Sequence, residues 1–100
     1  MINNDIPIQI SDEAFKEIEF LYQNKSIDKT LGLRIGIKGN GCSGTTFIIG
    51  FDNKSENDKE FKTTNFNIII EKKHFMYLIG MKLDFINNAE KKGFIFNSVN

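Results

Sequence analysis

The chain has 100 residues, enough for one domain with its own core. Its 13 basic and 13 acidic residues cancel, which removes the bulk electrostatic argument for nucleic acid or an anionic membrane as a partner. The single cysteine excludes an internal disulfide and fits a reducing, cytoplasmic setting, and neither a secretory signal nor a membrane-spanning run is read in the sequence.

The segment IPIQI (6–10) alternates and reads as a short strand or strand-like lead. Ser11 or Asp12 then suits a helix N-cap, with acid in the first turn at Asp12 and Glu13. Ala14, Phe15, Ile18, Leu21 and Tyr22 share one face of that helix, which should end near Lys25. LGLRIGIK (31–38) alternates cleanly: Leu31, Leu33, Ile35 and Ile37 point one way, Gly32, Arg34, Gly36 and Lys38 the other. TTFIIGF (45–51) is β-branched and aromatic, again a strand. DNKSENDKE (52–60) reads as a solvated loop, and FNIIIE (66–71) as a strong strand. KKHFMYLIG (72–80) is expected to form a short helix stopped by Gly80. KLDFI (82–86) and GFIFN (93–97) read as strands joined by a turn-rich connector. The result is mostly short strands with two helices, not an alternating β-α-β order.

Between the strands at 31–38 and 45–51 lies KGNGCSGTT, which holds Cys42 and a G-x-G-x-x-G pattern at Gly39, Gly41 and Gly44. A dinucleotide-binding loop needs a helix opening on the glycines, and the segment that follows is strand-like. A small buried cysteine is the bland alternative, yet Gly41, Ser43 and Gly44 offer it no apolar packing. Small residues at a strand-to-strand crossing suit presentation of a thiolate, whose charge the loop amides favour. An inert turn remains the competing reading. A nucleophilic enzyme would need a base, and His74, the one histidine, reads as a surface or capping residue at a helix start, so no enzyme is expected. Zinc would want four ligands, and neither C-x-x-C nor H-x-x-x-H accompanies Cys42, so a metal site would have to be shared between chains.

Five segments in order resemble the A-type iron–sulfur carrier family, HesB-like and IscA-type. ISDEAFKEI (10–18) is similar to its opening strand-to-helix segment, and LGLRIGIKGNGCSG (31–44) resembles its signature L-R-[IVL]-x-[IV]-x-x-x-G-C-[SAG]-G. FIIGFD (47–52), YLIGMKLDF (77–85) and GFIFN (93–97) resemble the strands and the helix-to-strand stretch that follow.

The resemblance implies a HesB-like domain over residues 1–100, mainly β, with mixed, sandwich-like sheets and two flanking helices. It implies an accessory of iron–sulfur cluster assembly that binds iron or a [2Fe–2S] or [4Fe–4S] cluster and passes it to apo-proteins. The first cysteine ligand of the family falls on Cys42, supported in its loop by Gly39, Gly41, Ser43 and Gly44. The implied partners are further subunits, in a homo- or hetero-oligomer (dimer or tetramer), with iron–sulfur scaffold and apo-target proteins, and neither nucleic acid nor membrane. The chain departs from the family at Met81, at Val99, and in the C-terminal C-G-C stretch, which these residues do not include. The alternative is a degenerate HesB-like interaction module that docks assembly partners without holding a cluster.

Overall fold

In the computed structural model, which describes residues 6–39 and 46–99, the alternating segments pair into two mixed sheets flanked by two helices. The larger sheet runs β3-β2-β5-β4, built from β2 (Gly32–Lys38), β3 (Thr46–Asp52), β4 (Asp58–Lys62) and β5 (Asn67–Glu71). In it β2 pairs antiparallel with β3 and parallel with β5, and β5 pairs antiparallel with β4. The smaller sheet runs β1-β6-β7, from β1 (Gln9–Ile10), β6 (Met81–Asn87) and β7 (Lys92–Ser98). There β1 lies parallel and β7 antiparallel to β6.

Helix α1 (Asp12–Asn24) begins at Ser11, whose hydroxyl accepts from the Ala14 amide at 3.1 Å and donates to Asp84 Oδ1 at 2.6 Å. The Ser11 amide also donates to the Leu83 carbonyl, so the N-cap is tied to β6 at two points. Ala14, Ile18 and Tyr22 are buried on the inner face of α1, while Phe15 is half-buried and packs on Phe66 with ring centroids 4.8 Å apart. Leu33 and Ile35 from β2, Phe61 from β4 and Ile68 and Ile70 from β5 meet that face, with Leu83 from β6 completing the core. Phe47 of β3 stacks on Phe96 of β7 at 5.1 Å and joins the two sheets.

Three sequence expectations change. The polar stretch 52–60 is not loop throughout, because Asp58 opens edge strand β4. Its charged residues face water except Asp58, which Arg34 neutralises, and Phe61 supplies its one core contact. The helix expected over 72–80 is a 3-10 turn at Lys72–His74 followed by α2 (Phe75–Leu78), with Gly80 turning at a φ of +83° into β6. The lead at 6–10 pairs as a strand only over Gln9–Ile10.

Candidate functional site

The register of β2 and β3 closes with Lys38 opposite Thr46, so the glycine–cysteine segment connects the two strands of a hairpin. A strand, not a helix, follows the glycines, and the dinucleotide reading has no helix N-terminus to use. Gly39 leaves β2 with a φ of +66°, and a β-carbon there would meet nothing within 4 Å. Backbone angle rather than crowding therefore calls for glycine at this position, since a left-handed conformation costs other residues about 1–2 kcal/mol. Gly41, Cys42, Ser43 and Gly44 lie outside the described residues.

Gly39 also lines an open cleft of about 490 Å³ together with Ile37, Glu71, Lys73, His74 and Tyr77. Among these lining residues is His74, which sequence reasoning set aside. The Ile37 amide donates to His74 Nδ1 at 3.3 Å, and the ring covers Gly36 so closely that a β-carbon there would sit 2.7 Å from Nδ1. On its other side His74 Nε2 lies 3.9 Å from Glu71 Oε1, and Lys73 Nζ lies 3.5 Å from Glu71 Oε2. The available signal was Gly36 itself, because a glycine inside a strand marks the close approach of another group. Among the described residues, no three His, Cys, Asp or Glu side chains gather as a metal site.

At the opposite end of the β2–β3 hairpin, Arg34 forms a fork on Asp58, Nη1 to Oδ1 at 2.8 Å and Nη2 to Oδ2 at 2.7 Å. Its Nε donates to Asp52 Oδ2 at 2.8 Å, and Nη2 also reaches the Asn53 carbonyl at 3.2 Å. The side chain of Asp58 is 1% exposed, and its Arg34 hydrogen bonds hold the carboxyl well below the usual carboxylate range, against the cost of burial. The Ser55 amide and hydroxyl add to this at Oδ2, so one arginine fixes β2, the end of β3 and the start of β4.

The family described as iron-sulphur cluster biosynthesis matches residues 6–100. The chain belongs to that family. The iron-binding protein IscA of Yersinia enterocolitica is 37% identical to it over 94 residues, 93% of this chain and 86% of the relative. Among solved structures, that of Escherichia coli SufA, involved in biosynthesis of iron–sulfur clusters, superposes with a TM-score of 0.74 at 18% identity, covering 91% of this chain and 79% of that one. The structure of IscA with a [2Fe–2S] cluster gives the same TM-score and identity, covering 91% and 84%. These likenesses bear out the two mixed sheets with flanking helices. Among the described residues of this iron–sulfur biosynthesis protein, no helix is long and apolar enough to cross a membrane.

Proposed function

We propose that this protein is an A-type carrier: Cys42 binds iron or an iron–sulfur cluster at a subunit interface, and the cargo passes to apo-proteins. The observation that carries this reading is the family match over residues 6–100 with Cys42 inside the signature that spans 31–44. The iron-binding IscA relative and the [2Fe–2S] bound in the IscA neighbour support iron chemistry and make [2Fe–2S] the first cluster to test, ahead of [4Fe–4S]. Thiolate sulfur from Cys42 is the donor type that Fe–S clusters take, and Gly39, Gly41, Ser43 and Gly44 are the small residues that present it.

One cysteine per chain in these 100 residues does not complete a cluster, which ordinarily has about four protein ligands. The remaining ligands are expected from outside these residues, on a second copy of the chain or a scaffold protein in a dimer or larger assembly, or on a low-molecular-weight thiol. The role is transfer rather than catalysis, in the cytoplasm, between an assembly scaffold and apo-targets. Anaerobic reconstitution with iron and sulfide, followed by mixing with an apo-ferredoxin, tests it. The reading expects a visible chromophore that decays on the carrier as the ferredoxin signal grows. A protein that gains no chromophore overturns it and leaves the degenerate interaction module in its place.

A further inference from the structure

The two sheets end in β3 and β4 on the larger and in β1 and β7 on the smaller. An outer strand offers its main-chain groups to any extended chain, and charge, shortness or a bulge ordinarily blunts it. β4 is charged at four of its five residues, and β1 has only two residues. β3 is charged only at Asp52, which Arg34 engages. β7 is charged only at Lys92, and it pairs with β6 one to one over all seven residues, without a bulge. The Phe47–Phe96 stack brings β3 and β7 together, so the two unblunted edges lie on one side of the molecule.

The hydrogen bonds of β6 fix which groups of β7 face outward. The Leu83 carbonyl accepts from the Ser11 amide on the β1 side, and the Gly80 carbonyl accepts from the Val99 amide on the β7 side. Main-chain groups alternate between the two sides of a strand, so Leu83 and Phe85 turn theirs away from β7. Phe96, opposite Leu83, and Phe94, opposite Phe85, therefore turn their amides and carbonyls away from β6, along the outer edge. Their rings pack against the core, while Ile95 is half-buried on the opposite face of the strand.

We infer that β7 is a self-association edge: two copies of the chain pair β7 to β7, antiparallel about Ile95, and join their three-stranded sheets into one. The strand is self-complementary in that register. Phe94 falls opposite the partner's Phe96, so each outward amide meets an outward carbonyl, and two cross-strand aromatic pairs form. Lys92 falls opposite the partner's Ser98, so no like charges meet. Ile95 falls opposite its own copy as a non-hydrogen-bonded pair, where Cα atoms approach to about 4.5 Å. A second copy is the occupant because this register overlaps the whole strand, and a net charge of zero sets no repulsion against it. The inference rests on the carrier reading for its use, since that reading calls on another subunit, but not for its geometry.

The test uses the full chain without metal. Sedimentation velocity over a concentration series should show a dimer of the parent. Ile95→Lys sets two like charges opposite each other on the outer face, and should weaken the dimer at least about tenfold while circular dichroism stays that of the parent. A cysteine pair reads the register independently. In a Cys42→Ser background, Ile95→Cys should cross-link to a covalent dimer under mild oxidation, because opposite residues of this pair lie within disulfide reach. Asn97→Cys should not, since the two copies of residue 97 would sit roughly 14 Å apart along the strands. A dimer that Ile95→Lys leaves intact, or Asn97→Cys cross-linking as readily as Ile95→Cys, overturns the inference. A parent that stays monomeric, with the Phe94 amide exchanging freely, also overturns it and leaves the edge to an extended segment of another protein. A β7-paired dimer that gains no chromophore on reconstitution sinks the carrier reading alone, whereas a cluster on a dimer insensitive to Ile95→Lys sinks this inference alone.

Discussion

The imidazole of His74 occupies the space that a side chain at Gly36 would fill, with Nδ1 2.7 Å from the position of a β-carbon there. Two features of the sequence that looked unrelated, a glycine in a strand and a histidine at a turn, are therefore one contact. Gly36→Ala should push the ring away from the Ile37 amide and destabilise the fold by roughly 1–3 kcal/mol, as overpacking does. In a His74→Ala background the same methyl has room, so a double-mutant cycle by urea unfolding should give a coupling of at least about 1 kcal/mol. Additive effects would show that the two residues do not meet.

The Arg34–Asp58 pair predicts a pH signature. The folded-state carboxyl of Asp58 lies below its unfolded value of about 3.9, with the Arg34 hydrogen bonds as the largest cause. Its stabilisation is therefore present above about pH 4 and is lost as pH falls through the folded value. Asp58→Asn should cost about 2 kcal/mol near neutrality, less than a fully buried pair because Arg34 is partly exposed. Urea midpoints of parent and variant should converge on acidification below about pH 4. A gap that stays constant down to strong acid would contradict the assignment.

Ser11 joins a helix to a sheet with one hydroxyl, accepting from Ala14 and donating to Asp84. Ser11→Ala removes the cap and takes a partner from a carboxylate that also accepts from the Phe85 amide. Its hydrogen bonds from Ser11 and Phe85 hold the Asp84 carboxyl below the usual range. The loss should be about 1–2 kcal/mol by thermal or urea unfolding. A change within experimental error would mean that α1 is fixed by its apolar face alone.

Much of the fold was legible because the signals were periodic. The alternation of 31–38 and the i, i+4 spacing of Ala14, Ile18 and Tyr22 each name the buried face, and the structure buries Leu33, Ile35, Ile37 and the three helix residues, with Leu31 half-buried. β4 was hidden because four of its five residues are charged, and its pairing depends on an arginine 24 residues earlier in the chain. Edge strands carry such charges, and local pattern cannot distinguish them from a solvated loop. The other face of β2 also escaped the pattern: Gly32 lies under Ile69 and Gly36 under His74, long-range contacts that alternation alone does not encode. Of the candidate site, the strands that flank the glycine loop were legible, whereas the left-handed φ of Gly39 and the place of His74 were not, because the one is a single backbone angle and the other depends on where β5 ends.

The most direct measurement is the iron and sulfide content of parent and Cys42→Ser after the same anaerobic reconstitution, read beside thermal unfolding. The carrier account predicts that the serine variant loses bound iron and the visible chromophore while its unfolding temperature stays close to that of the parent. A variant that binds as the parent does, or one that loses binding only because it unfolds, would contradict it.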